Sequence, residues 1–165
     1  MTTKTILALD PGGTTGWALC RYDFEPRAQI IQARDVQWLC GQLGPQAHHS
    51  ELWSLLGMQH TQEYRLVSES FEYRNKSRAG LVLDSVEYIG ITRLYSELRD
   101  VVLTMQTAAK GKGFVKDQNI KDLGLWSGGW KHAMDAYRHL LYYMVHGDNS
   151  PVGLSMRNAL LAKAW

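Results

Sequence analysis

The segment Ile6-Leu-Ala-Leu-Asp-Pro-Gly-Gly-Thr-Thr-Gly-Trp-Ala-Leu19 decides the fold of this chain. An apolar run leads into an acid, a glycine-rich turn follows, and a second apolar run begins. Two such runs around a Pro-Gly-Gly turn predict a β-hairpin. Asp10, at the end of the first run, has two interpretations: a turn residue that satisfies the local backbone, or a carboxylate held in place to bind a charged group.

Strand and helix patterns alternate along the rest of the chain. The expected elements are a third meander strand over 28–36, a helix over 50–60, a strand over 64–71, a helix over 80–100, a strand over 101–107, a loop with at most a short helical turn over 108–130, and a helix over 131–147. The order β-β-β-α-β-α-β-α predicts an α/β fold with a five-stranded mixed sheet and helices on its faces.

Composition sets broad limits on the class of protein. The 165 residues fit a single domain, 1–165, and 45% hydrophobic with 21% charged residues is ordinary for a globular protein. No apolar run is long enough for a membrane span, and the start MTTKT is unlike a signal peptide, so we expect a cytoplasmic protein without a membrane partner. Cys20 and Cys40 are expected to be reduced thiols.

Basic residues are concentrated in two places, although the net charge is only +2. The stretch 106–131 holds five lysines against two acids, and three basic residues lie within 73–78. Local clusters of this kind indicate contacts with phosphate groups. Taken singly, the same residues are also consistent with solvated loops.

Three acids are expected to converge on one site. Asp10 and Glu69 end strands that would be parallel neighbours, so their carboxylates would emerge at one edge of the sheet. Two carboxylates this close favour a divalent cation, Mg²⁺ first among the candidates. In the last helix, His132, Asp135 and His139 stand at i, i+3 and i+7 on one face.

Each of these residues also has an ordinary structural interpretation. Glu69 is equally consistent with an exposed strand end, and Glu72 is a rival second acid three residues later. Asp135 fits a solvated helix position, and His139 fits a supporting or surface position. The combination of an acid on the first strand, one on the strand after the meander and one on the final helix favours a metal site.

The chain resembles the RuvC-type Holliday junction resolvases of the ribonuclease H-like nuclease superfamily, especially the short forms of bacteriophages. The segments that carry the resemblance are LALDPGGTTGWAL with Asp10, RLVSESF with Glu69, and HAMDAYRHLLYY with His132 and Asp135. The resemblance implies a ribonuclease H-like fold, with an antiparallel three-strand meander plus two parallel strands, and a homodimer that cuts branched DNA. It also implies Asp10, Glu69, His132 and Asp135 as the catalytic metal ligands of two Mg²⁺ ions, with Asp10 between them. Because one ligand is a histidine, Mn²⁺ is expected to work as well.

The resemblance assigns the DNA contacts to two segments. Those expected at the backbone are Lys110, Lys112 and Lys116 after the last strand, and Arg74, Lys76 and Arg78 before the long helix. Phe71 and Tyr73 are candidates for an aromatic wedge in the junction, although Phe71 is equally consistent with a core position. Excess apolar residues in the long helix (Val86, Tyr88, Ile89 and Ile91) fit either a dimer seam or a buried central helix.

Other functions stay open at this point. The substrates would be four-way junctions, with flaps and replication forks as further branched substrates. Actin-like and sugar-kinase proteins also follow a first-strand acid with Gly-Thr-Thr, but they need two such domains. A non-catalytic DNA-binding module on the same fold is a third hypothesis, against which the retained acids count.

Overall fold

The computed structural model describes residues 2–24, 36–71 and 83–148, together with 153, 154, 157, 158, 161 and 162. The elements are β1 (Thr2–Asp10), β2 (Thr15–Phe24), β3 (Gln37–Leu43), α1 (His49–Met58), β4 (Glu63–Glu69), α2 (Leu83–Arg99), β5 (Val102–Gln106), α3 (Ala108–Phe114), α4 (Asp117–Asp122) and α5 (Lys131–His146). The predicted α/β class and its order of elements are confirmed, with two short helices added before α5.

The five strands form one mixed sheet in the order β3-β2-β1-β4-β5. β1, β2 and β3 pair antiparallel, whereas β4 and β5 extend the sheet parallel to β1. The carboxyl ends of β1, β4 and β5 therefore lie in a row at one edge. The last residues of these strands are Asp10, Glu69 and Gln106.

Alternating side chains of β1 build a core on each face of the sheet. Ile6 and Ala8 belong to the layer beneath α5, which also includes the free thiol of Cys20. Leu7 and Leu9 belong to the layer beneath α1 and α2. A strand buried on both faces needs an unbroken apolar run, which is what the segment before Asp10 supplies.

The third strand lies later in the chain than expected. The predicted range, 28–36, falls almost wholly outside the described residues, and the strand that pairs with β2 is β3 at Gln37–Leu43. Along β3, Trp38 and Cys40 pack against the core beneath α5, while Leu39 is 50% exposed. This alternation is typical of an edge strand with one covered face, and it is less conspicuous in the sequence than the apolar pair at 30–31.

The prediction of a loop over 108–130 was wrong, because this stretch contains α3 and α4. Its glycines argue against helix, but Gly111 is buried where α3 crosses α5. A Cβ atom built at Gly111 would lie 3.1 Å from Nδ1 of His139. Tertiary packing, which needs a small residue there, thus outweighs the weak local propensity.

A buried ion pair fastens the amino end of β1. The Lys4 ammonium, 2% exposed, lies 2.5 Å from the carboxylate of Asp148 and 3.9 Å from Glu63. It lies at the end of β1 opposite to Asp10, so the structural pair and the strand-end acids are separated by the length of the strand. Among the described residues, no helix is both long and apolar enough to cross a membrane.

Candidate active site at the carboxyl ends of the parallel strands

Asp10 and Glu69 form a close carboxylate pair, as the parallel pairing of their strands requires. One ligand atom each from Asp10, Glu69 and His139 lie within 4.8 Å of one another. Burial, reinforced by the charge of Glu69, raises the pKa of Asp10 from 3.8 to about 6. Crowded, partly desolvated oxygens of this kind are favourable ligands for a divalent cation, which relieves their mutual repulsion.

His132 contacts Asp10 from the start of α5. Its Nδ1 atom lies 3.1 Å from Oδ2 of Asp10, and its backbone N–H donates to Oε1 of Gln42 at 3.0 Å. The first turn of α5 reaches this position by lying on Gly16 of β2, which is paired with Asp10 in the sheet. The third glycine of the opening motif therefore determines where His132 sits.

His139, which is fully buried, orients Glu69. Its Nε2 atom lies 2.8 Å from Oε2 of Glu69, and its Nδ1 lies 2.9 Å from Oε1 of Gln106. The side-chain amide of Gln106 donates to the backbone carbonyl of His139 at 3.3 Å. This hydrogen bond orients the Gln106 side chain so that its Oε1 faces Nδ1 of His139. Both ring nitrogens thus face side-chain oxygens, one from Glu69 and one from Gln106.

The electrostatics of Glu69 reflect this arrangement. Burial would raise the pKa of Glu69, but the hydrogen bond and charge of His139, together with Lys112, outweigh it and lower the pKa. The Glu69 carboxyl is therefore ionised at neutral pH, whereas the Asp10 carboxyl keeps its proton up to about pH 6. The two pKa values shift in opposite directions because burial and the charge of Glu69 dominate at Asp10, whereas His139 and Lys112 offset burial at Glu69.

Asp135, 6% exposed, lies on α5 and is held by two cations. Arg138 donates to its Oδ1 at 2.5 Å, and Lys112 Nζ lies 3.1 Å from its Oδ2. Partial burial lowers the pKa of Lys112, but the hydrogen bond to Asp135 and the nearby acids outweigh this and raise it. The charge of Asp135 also contributes to the raised pKa of Asp10, so the three acids share one electrostatic environment.

The predicted DNA-contacting residues are only partly described. Lys112 is at the acids, as expected, and Lys110 is exposed on α3. Lys116, also exposed, donates to backbone carbonyls at the end of α3. The residues that lie outside the described part are Glu72, Tyr73, Arg74, Lys76 and Arg78.

Phe71 is not a core residue. It is 45% exposed and lines a cavity of about 260 Å³ together with Pro11, Glu69 and Lys112. The core alternative for this side chain is therefore wrong, and its wedge role stays a prediction.

The sequence-based prediction lacks two functional partners, Gln106 and Arg138, and leaves His139 undecided. The signal for His139 was present, because it stands four residues after Asp135 and shares its helix face. No sequence motif marks Gln106. Its place next to Glu69 becomes apparent only from the parallel pairing of β5 with β4.

The fold is the RuvC-type, ribonuclease H-like α/β fold, and the acids lie at the strand ends where such sheets form their ligand sites. A solved structure of Thermus thermophilus RuvC superposes with a TM-score of 0.56 at 14% identity, covering 87% of this chain and 96% of that one. T. thermophilus RuvC in complex with Holliday junction substrate superposes with a TM-score of 0.57 at 12% identity, covering 85% and 92%. No family model matches the sequence, and neither does any curated protein. The similarity at this identity establishes the fold.

Proposed function

We propose that this chain is a metal-dependent endonuclease that cleaves branched DNA, with the Holliday junction as its main substrate. The observation that carries the proposal is the grouping of Asp10, Glu69 and His139 at one edge of a RuvC-type sheet, with Asp135 of α5 near enough for its charge to act on Asp10. One structural neighbour is bound to a Holliday junction substrate, which supports the choice of DNA.

The donor set suits Mg²⁺. We assign Asp10, Glu69, His132 and Asp135 as the ligands of two ions, and the raised pKa of Asp10 supports a site built for added positive charge. Two bound Mg²⁺ ions would activate the attacking water and stabilise the leaving oxygen of the phosphodiester. Because His132 contributes an imidazole nitrogen, we expect Mn²⁺ to support cleavage as well.

The remaining residues of the site orient these ligands and receive the DNA. His139 fixes the carboxylate of Glu69, so this group needs little reorganisation when the substrate arrives. The side chain of Lys112 is 48% exposed beside Asp135, so its ammonium is accessible to a phosphate oxygen. The other proposed phosphate contacts are Lys110, Lys116, Arg74, Lys76 and Arg78, with Phe71 or Tyr73 at the branch point.

We further propose a homodimer, since a four-way junction presents two equivalent strands to cut. Tyr88 and Ile89 are not seam residues, because both are buried in their own chain. Instead, α2 exposes Val86, Leu94 and Leu98, which are 48%, 50% and 65% accessible. They recur at multiples of four and form one apolar stripe on the outer side of the helix. A second copy of the chain that packs on this stripe would remove these apolar side chains from water.

Two alternative functions would use the same residues. A broader debranching nuclease would use the same acids on flaps and forks, and a non-catalytic module would use the same basic surface. The actin-like alternative is weakened by the contact of His132 with Asp10, which suits a metal site. We place the enzyme in the cytoplasm, that of a bacterial host if a phage encodes it.

The test is a panel of labelled four-way junctions, flaps, forks and plain duplex, incubated with and without Mg²⁺. Paired symmetric nicks in junctions support the resolvase dimer, and cutting of flaps alone supports the broader nuclease. Tight binding without cutting would support the module. Glu69→Gln and Glu72→Gln decide the second acid: loss of cutting only in Glu72→Gln would overturn the assignment of Glu69.

A further inference from the structure

A second, larger cavity is lined by Asp135 but not by Glu69. Its volume is about 860 Å³, and it lies between α3, α4 and the first turns of α5. Pockets for small organic ligands span roughly 300–1,000 Å³, so this one has room for a nucleotide-sized ligand. Its lining includes both Asp135 and Trp126.

The lining of this cavity favours an anion. Its four cations are Lys112, Lys116, Lys131 and Arg138. Its two acids, Asp117 and Asp135, are both ion-paired with Arg138, and Asp135 also with Lys112. A surplus of positive charge next to a site for phosphodiesters attracts the phosphates of a neighbouring nucleotide.

Trp126 supplies an aromatic surface in the same cavity. Its side chain is 39% exposed, and Lys121 Nζ lies 4.8 Å from the ring centroid. Next to it in the loop, the Ser127 N–H donates to Sδ of Met134 in α5 at 3.4 Å. Lys121 lies over one face of the indole, and a partly exposed indole among cations offers its other face as a surface on which a nucleic-acid base can stack.

From this juxtaposition of Trp126 with four cations beside Asp135, we propose that the cavity binds one unpaired nucleotide of the cleaved strand, adjacent to the bond that is cut. The base stacks on Trp126, while Lys131 and Lys116 receive its phosphate. A base must leave its stack to enter a protein pocket, and unstacking costs least where base pairs are already interrupted. The cavity thus makes an unpaired nucleotide at the branch a determinant of where the strand is cut, an inference that rests on the proposed nuclease function.

The first experiment measures binding alone. Fluorescence anisotropy of a labelled oligothymidylate, in EDTA, compares the wild-type protein with Trp126→Ala and Trp126→Phe. Loss of one stacking contact should weaken binding about 5- to 100-fold in Trp126→Ala, with most affinity kept in Trp126→Phe. Trp130→Ala is the matched control, because Trp130 is 45% exposed in the same loop but does not line the cavity. Circular dichroism melts check that each variant is folded.

A second experiment separates this inference from the nuclease proposal. Four-way junctions with an abasic site next to the cut bond are compared with intact junctions, in wild type and Trp126→Ala. We expect the substitution to slow cutting of the intact junction and to leave the abasic junction unaffected. Equal binding and cutting by wild type and Trp126→Ala would overturn the nucleotide site while leaving the nuclease intact. Trp126-dependent oligonucleotide binding without junction cutting would support the site and overturn the nuclease.

Discussion

Gly16 in β2 and His132 in α5 are in direct backbone contact: a Cβ atom built at Gly16 would lie 2.0 Å from the carbonyl oxygen of His132. Real Cβ atoms do not approach that closely, so either the strand or the helix start would have to move. Because His132 contacts Asp10, the geometry of the acid site depends on a residue that has no side chain.

Gly16→Ala should therefore damage both stability and cleavage. Overpacking a tight contact typically costs 1–3 kcal/mol, and we expect a loss of about 3 kcal/mol in the free energy of unfolding. Displacement of the helix start by about 1 Å should reduce the cleavage rate about 100-fold. Urea denaturation and single-turnover cleavage measure the two effects.

Gly57→Ala is the control for this substitution. Gly57 lies in α1, and a Cβ there would meet nothing within 4 Å. Alanine in a helix is more favourable than glycine by up to about 1 kcal/mol, so this variant should be slightly more stable and fully active. Similar losses in both variants would show that the contact with His132 is not the cause.

The raised pKa of Asp10 predicts a pH-dependent stability in the metal-free protein. The folded protein holds a proton on Asp10 up to about pH 6, whereas the unfolded chain releases it near 3.8. The contribution of Asp10 to the free energy of unfolding is therefore complete below pH 3.8. It is lost as the pH rises to about 6, and the loss amounts to up to about 3 kcal/mol. Glu69 has a lowered pKa, so its contribution changes only below 4.5.

Asp10→Asn should remove this pH-dependent loss of unfolding free energy, and the asparagine oxygen would still accept a hydrogen bond from His132. In EDTA the variant should match the wild type near pH 3 and exceed its unfolding free energy by up to about 3 kcal/mol near pH 7.5. Urea melts at the two pH values measure this difference, with Glu97→Gln on the exposed side of α2 as the control. A difference that is equal at both pH values would contradict the assignment to Asp10.

His139→Ala should weaken both the fold and the metal response. The substitution removes the partners of Glu69 and of the 3% exposed Gln106, with an expected cost of about 2–4 kcal/mol. Loss of the group that orients a ligand typically costs 10- to 100-fold in metal affinity, so half-maximal cleavage should need more Mg²⁺.

His49→Ala provides the comparison, because its ion pair with Glu87 is on the surface. We expect this variant to lose at most about 1 kcal/mol and to keep its Mg²⁺ dependence. An unchanged Mg²⁺ requirement in His139→Ala would contradict the role of His139 in positioning Glu69.

Lys4→Met should destabilise the protein without affecting the chemistry. It leaves the carboxylate of Asp148 buried and without its nearest cation, which typically costs 3–5 kcal/mol. Glu63→Gln, at the exposed side of the same ion pair, should cost less than about 1 kcal/mol. Thermal melts measure the stabilities, and cleavage below the melting temperature should be normal in both variants. Equal melting temperatures for the two variants would overturn the ranking of these contacts.

The parts of the fold that the sequence predicted are those with strong local patterns. The run before Asp10 is continuous and apolar, and α5 alternates a polar face with an apolar one, so both elements and the meeting of their acids were predictable. The convergence of Asp10 and Glu69 followed from one topological rule, that neighbouring parallel strands end at the same edge.

The remaining features depend on contacts between distant segments. Gly111 of α3 packs tightly against His139, and no sequence window around 111 contains that information. The partnership of His139, Gln106 and Glu69 likewise appears only after three elements have assembled. The buried position of Lys4 was also invisible, since its counterion is 144 residues away.

We propose above that Asp10 and Asp135 hold the metal ions with which the protein cuts branched DNA. The most direct measurement is the cleavage of a labelled four-way junction in Mg²⁺ by wild type, Asp10→Asn, Asp135→Asn and the control Glu97→Gln, with junction binding followed in parallel. We predict paired nicks by wild type and Glu97→Gln, and at least a 100-fold slower reaction with intact binding in the two aspartate variants. Cleavage by either aspartate variant at the wild-type rate would contradict the account.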